Sequence, residues 1–141
     1  MSKRLTKAQF QYIEDELRHY HETKNEMERL RLNVITGSIY REHVDENIGG
    51  SSSGGISNQV EQRTLLLDMD QQINRMKQLI SAIDKTISNL NDEEKQLIHF
   101  RYWDRSKPTW TWIAIKLNMS ESTAKRKRKV IVYEVARRLG Y

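Results

Sequence analysis

The densest chemistry in the chain lies in "SESTAKRKRKV", Ser120 to Val130, where hydroxyl side chains precede five consecutive cations, Lys125 to Lys129. Lys and Arg neutralise phosphate, and the Arg fork also reads the guanine edge in the major groove of DNA. Such a run is either a solvated basic tag or one face of a helix that enters a groove. At ~100° per residue, Ala124, Ile131 and Val135 share one face with Leu139 at its margin, and Ser122, Lys125, Arg126, Lys129 and Tyr133 share the opposite one. A tag needs no apolar seam, whereas a recognition helix docks one face on its scaffold and leaves the other free for bases and phosphates. Ser122, Lys125, Arg126 and Lys129 are therefore the candidate readers, with Arg126 foremost for specificity. Lys107, Lys116, Arg128 and the backbone and hydroxyls of Ser120 to Thr123 are candidates for holding phosphates. Lys127 points toward the docked face, where its stem can lie along the core while the ammonium snorkels out.

These residues need a scaffold, and helix punctuation supplies one in the last 50 or so residues. Asn91 is a candidate N-cap with Glu94 three positions on and Asp92 and Glu93 in the first turn, which predicts a helix with Leu97, Ile98 and Tyr102 inward, ending before Pro108. Thr109 caps a short helix with Trp110, Ile113, Ala114 and Leu117 on one face; Trp112 and Ile115 fall away from it, for packing on the preceding helix or for a protein contact. Asn118 and Met119 break that helix, Ser120 caps the basic one, and Gly140 ends it. Helix, connection, short helix, tight turn and long basic helix is the layout of a helix-turn-helix domain, here residues 91–141.

Residues 1–90 read as a helical oligomerisation region. A helix over Thr6–Ile35 is amphipathic, with a seam of Phe10, Ile13, Leu17, Tyr20, Met27 and Val34 broken at Lys24 and Arg31. Residues 47–59, "NIGGSSSGGISNQ", predict a flexible loop, too poor in apolar side chains to offset the entropy of ordering. A second helix over Gln59–Asn89 carries Leu66, Met69, Ile73, Met76, Ile80, Ile83, Ile87 and Leu90 at steps of 3, 4, 3, 4, 3, 4 and 3. That unbroken a/d rule specifies a coiled-coil seam. Its partner is the first helix folded back, the same helix in a second subunit, or both, and the interrupted first seam favours self-association through Leu66 to Ile87. The fold class expected is all-α: a long N-terminal helical hairpin or coiled coil, then the helix-turn-helix.

Charge agrees with that division, since residues 1–100 hold 13 Lys+Arg against 16 Asp+Glu while residues 101–141 hold 11 against 3. A concentrated positive region beside a mildly acidic one is the electrostatic footprint of nucleic-acid binding. With no cysteine, disulfides, thiol catalysis and cysteine-bound zinc are excluded. His19 and His21 fall on opposite sides of a helix, and neither they, His43 nor His99 completes a metal site. The acids of "DMD" and "NDEE" suit helix surfaces and caps, and no phosphate loop follows a strand, so the expectation is no enzyme, no cofactor, no metal and no small-molecule substrate. Neither a signal-peptide core nor an apolar run of membrane-spanning length occurs, so a cytoplasmic protein without a membrane partner is expected.

"LNDEEKQLIHFRYW", "TWTWIAIKLNMSESTAKRKRK" and the closing "VARRLGY" resemble the region-4 helix-turn-helix of sigma factors, and more closely the phage and prophage regulators of the RinA and ArpU type. The likeness extends to "LTKAQFQYIEDELRHY" and the stretch after "NIGG". It implies a transcriptional activator of late, packaging or lysis operons in a bacterial host, a homo-oligomer on double-stranded promoter DNA that recruits RNA polymerase. The alternative is a DNA-binding packaging protein similar to a phage small terminase subunit. Lys127 departs from the resemblance, since that position is usually apolar in such domains.

Overall fold

The computed structural model describes residues 4–36 and 55–141, and every regular element among them is helical. In chain order these are α1 (Lys7–Arg18), α2 (Tyr20–Thr36), α3 (Gly55–Ser88), α4 (Asp92–Ile98) running into a π-helical turn (His99–Trp103), α5 (Trp110–Lys116) and α6 (Glu121–Arg138). Four starts are capped in the same manner: Thr6, Asn91, Thr109 and Ser120 accept the backbone N–H of Gln9, Glu94, Trp112 and Thr123 at 3.1, 2.8, 3.1 and 3.1 Å. Each cap stabilises its helix by about 1 kcal/mol.

Two expected boundaries are corrected. The first helix is not continuous from Thr6 to Ile35 but breaks at His19, where φ is −92° and ψ 9°. The His19 ring Nδ1 lies 2.7 Å from the Asp15 carbonyl, the same oxygen that receives the His19 backbone N–H at 3.1 Å. A side chain that competes for the i−4 carbonyl loosens the turn it sits in. The second helix begins at Gly55, so residues 55–59 of the expected loop are helical; residues 47–54 of that loop lie outside the described residues.

The described residues divide into two compact units, those of 1–21 with 78–141 and those of 22–77. In the first, Ile13 and Leu17 of α1, Ile80 and Ile83 of α3, Ile98 and Tyr102, and Ile131, Val132 and Val135 of α6 form one core. Leu97, Ile113, Leu117 and Ala124 form a second, smaller cluster, with Phe100, Trp110 and Met119 around it. Ile80 and Ile83 are 5% and 0% exposed there, which corrects their assignment to a contact between subunits: a side chain enclosed by its own chain has no surface left to offer another. Ile87 packs half-buried against the same core.

The π turn lets one helix serve both clusters. Asp104 N–H reaches back five residues to the His99 carbonyl at 2.8 Å, and a π turn rotates less per residue than an α turn. Phe100 thereby stays with Leu97 in the small cluster while Tyr102 and Trp103 join Ile98 in the large one. In the second unit, Met27 and Leu30 are buried, and Leu66, Met69, Ile73 and Met76 form a half-buried row along α3.

Candidate nucleic-acid interface

The basic residues are positioned by the joint between α5 and α6. After Leu117, Asn118 takes φ +56°, Met119 N–H bonds the Ala114 carbonyl at 2.9 Å and Asn118 N–H bonds the Ile115 carbonyl at 3.2 Å. This pair is the Schellman closure of a helix, with Asn tolerating the left-handed position that most side chains avoid. Ser120 follows at once as the N-cap of α6, its hydroxyl accepting from Thr123 N–H and donating to Thr123 Oγ1 at 2.9 Å. The hydroxyl proton of Ser120 is thus committed within the turn. α6 ends in the same kind of closure: Tyr141 N–H meets the Ala136 carbonyl at 3.0 Å, Gly140 N–H meets the Arg137 carbonyl at 3.1 Å, and Gly140 takes φ +95°.

The docked face of α6 contains Ala124, Ile131 and Val135, all buried, and also Val132 and Ala136, which the seam did not include. The wider burial of the C-terminal half follows from α1, which packs against it. Tyr133, placed on the free face by the wheel, is instead half-buried with its ring 6.3 Å from that of Phe10. On the opposite face Ser122, Lys125, Arg126 and Lys129 are exposed together with Val130 in the first half of the helix, and Arg137 is exposed near its end. Lys129 Nζ lies 5.9 Å from the Tyr133 ring centre. Lys116 is exposed at the end of α5. Lys107 is exposed in the connection before α5, at φ +48°.

Arg128 is corrected. Its Nη1 lies 3.0 Å from Glu14 Oε2, both side chains are largely enclosed (18% and 12% exposed), and its guanidinium stands 5.2 Å from the ring centres of both Phe10 and Trp110. The same Glu14 oxygen accepts the Tyr102 hydroxyl at 2.6 Å. Burial and that carboxylate hold the Tyr102 hydroxyl well above the usual tyrosine range. A cation held this way is a brace between α1 and α6, turned inward to Glu14. The α6 sequence gave no hint of it, because its partner lies 114 residues upstream; the only signal was an acid, Glu14, between Ile13 and Leu17 on an otherwise apolar strip.

The other cations divide in a way that sequence does not show. Lys127 does face the scaffold, and its ammonium finds Glu93 of α4 at 2.8 Å, which raises its affinity for the proton. Arg137 and Arg138 both pair with Glu134. Arg101 lies over Trp110 at 4.7 Å. Among the described residues Lys107, Lys116, Lys125, Arg126 and Lys129 have no carboxylate within ion-pair distance. Arg126 also lines a shallow depression of about 280 Å³ with Thr123, Lys127, Val130 and Glu94.

Of the aromatic residues, Trp110 packs partly buried on the small cluster. Trp112 meets Phe100 edge-on at 5.1 Å and keeps 44% of its surface exposed, beside Ile115 at 75%. His21 packs against Trp103 at 4.8 Å. No group of three His, Asp or Glu side chains that could hold a metal ion occurs among the described residues, and none of their helices is long and apolar enough to cross a membrane.

A family model described as "Protein of unknown function (DUF722)" matches residues 1–137. No curated protein matches the chain, and no solved structure does.

Proposed function

The chain belongs to that family, and we propose that it is a sequence-specific regulator of transcription that binds double-stranded DNA through α6. The observation that carries the reading is the first half of α6, where Ser122, Lys125, Arg126 and Lys129 are exposed with no carboxylate partner while Ala124 behind them is fully buried. On this reading α5, the Asn118 turn and α6 are a helix-turn-helix, with α4 as its support. Arg126 makes the principal base contact, and Lys107, Lys116, Lys125 and Lys129 hold phosphates.

The second unit supplies assembly. Leu66, Met69, Ile73 and Met76 are the half-buried part of the a/d row, and pairing through them presents two basic helices to one DNA site, adding their contacts. Activation of a phage or prophage late operon rests on the sequence resemblance alone. If bound protein touches RNA polymerase, exposed Trp112 and Ile115 on α5 are the surface that fits a protein contact.

The test is a gel-shift series on operator and unrelated duplexes. Arg126→Ala is expected to weaken operator binding by about 5- to 100-fold and relax the sequence preference. Lys129→Ala is expected to weaken binding to all duplexes and lower the salt slope by about 1. Operator binding unchanged in both variants would remove α6 from the interface.

A further inference from the structure

The exposed end of α6 carries one residue that a phosphate-binding surface has no use for. Glu121 is the first residue of the helix, one turn before Lys125 and beside Ser122. An acid at this position is favoured by the helix dipole, which accounts for its presence but not for its direction. Glu and Lys four residues apart on a helix ordinarily pair, yet the cations of α6 that hold carboxylates are Lys127, Arg128, Arg137 and Arg138, and Lys125 is not among them. The carboxylate is turned instead to α5, where the Thr111 hydroxyl donates to its Oε1. Both residues are exposed. One oxygen is fixed by Thr111, and among the described residues Oε2 has no hydrogen-bond or ion-pair partner.

We infer that Glu121 is a specificity-determining residue of the DNA site, held in position by Thr111, and that it reads cytosine. A carboxylate only accepts hydrogen bonds, and in the major groove only cytosine N4 and adenine N6 donate. Adenine places the N7 acceptor beside N6, which repels a carboxylate, whereas the cytosine edge offers its amino group alone. Guanine and thymine present acceptors there and are rejected. The same charge opposes phosphate, so it lowers affinity for unrelated DNA and widens the gap between right and wrong sites. The inference rests on the DNA-binding reading above.

Selection of bound sites from a pool of random duplexes, with the full-length chain, its Glu121→Gln variant and its Thr111→Val variant, tests it. The wild-type chain is expected to select cytosine at one position of each half-site. Gln still accepts from Thr111 but no longer repels acceptors, so Glu121→Gln should cut the cytosine preference about tenfold and strengthen binding to unselected duplex about threefold. Thr111→Val frees the carboxylate to swing toward Lys125 and should also lower the preference. The inference is overturned if the wild-type sites show no cytosine position, if both variants keep the wild-type preference, or if both weaken every sequence equally while lowering the thermal midpoint, which is what a purely structural strut would do. A wild-type chain that binds no duplex at all would instead remove the DNA reading beneath it.

Discussion

On α6 the neighbours of a cation decide its work more than its own type does. Lys125 and Arg128 belong to one run of five, yet the first is exposed and the second lies between Phe10 and Trp110 against Glu14. Removing one partner of such an enclosed pair leaves the other charge without compensation, so Arg128→Ala should cost about 3–5 kcal/mol of unfolding free energy. Glu14→Leu and Arg128→Met combined with Tyr102→Phe, which leaves no buried hydroxyl without the Glu14 acceptor, should cost much less. Urea denaturation of Arg128→Ala and of the triple variant checks this, and equal losses in the two would contradict it. Tyr20 supplies a second residue-scale expectation. Burial first, then the hydrogen bond to the Asp84 carboxylate, push its hydroxyl up to about 12. Its folded pKa therefore lies above its unfolded value near 10, so the stability it contributes is complete below about pH 10 and is lost as pH rises toward 12. Stability measured across that window should fall in the wild type and fall less steeply in Tyr20→Phe, which has no proton to lose there.

At the scale of elements, what was legible in the sequence was local and what was not depended on distant partners. Asn91, Thr109 and Ser120 were readable as caps because each bond closes within three residues, and Gly140 as a terminus because its left-handed φ of +95° suits glycine. The π turn was not readable, since nothing in "HFRYW" forbids a plain α-helix. Its register is secured by contacts such as Trp103 Nε1 donating to the Leu17 carbonyl at 2.8 Å, 86 residues away in sequence. The break at His19 was missed for a related reason: the Tyr20 and Leu17 spacing fits an unbroken helix, and the ring bond to Asp15 is a choice of rotamer. The exposed side of α6 was legible through Ala124 and Ile131, but its length was not, because the cover over Val132 and Ala136 comes from α1. The turn that aims α6 gives the prediction at this scale. Asn118 at φ +56° should accept glycine with little change in melting temperature, whereas Asn118→Val should cost about 1–2 kcal/mol and, on the proposed function, weaken DNA binding with it. A valine variant as stable as the wild type would mean that the turn adopts another conformation.

For the whole molecule, the a/d row of α3 shows how one periodic signal covers two physical situations. The seven apolar positions from Leu66 to Ile87 at heptad spacing say that a side of the helix is covered, and the spacing is the same whether the cover is the chain itself or another copy. Ile80 and Ile83 turn out to be enclosed by α1, the π turn and α6 of their own chain, while Ile73 and Met76 are only half-buried. Charge placed at these two levels should therefore have separable effects. Ile80→Asp puts a carboxylate into a closed apolar core, a change that costs several kcal/mol, and should abolish the cooperative unfolding transition along with the proposed DNA binding. Ile73→Asp leaves the core of residues 1–21 and 78–141 intact and should preserve that transition while lowering the mass seen by light scattering. On the proposed function a dimeric DNA contact would then become a single one, so its salt slope should fall to about half, since the slope counts phosphates held. If Ile73→Asp keeps the wild-type mass, the half-buried row is not where copies meet, and the pairing of basic helices must be sought elsewhere on the chain.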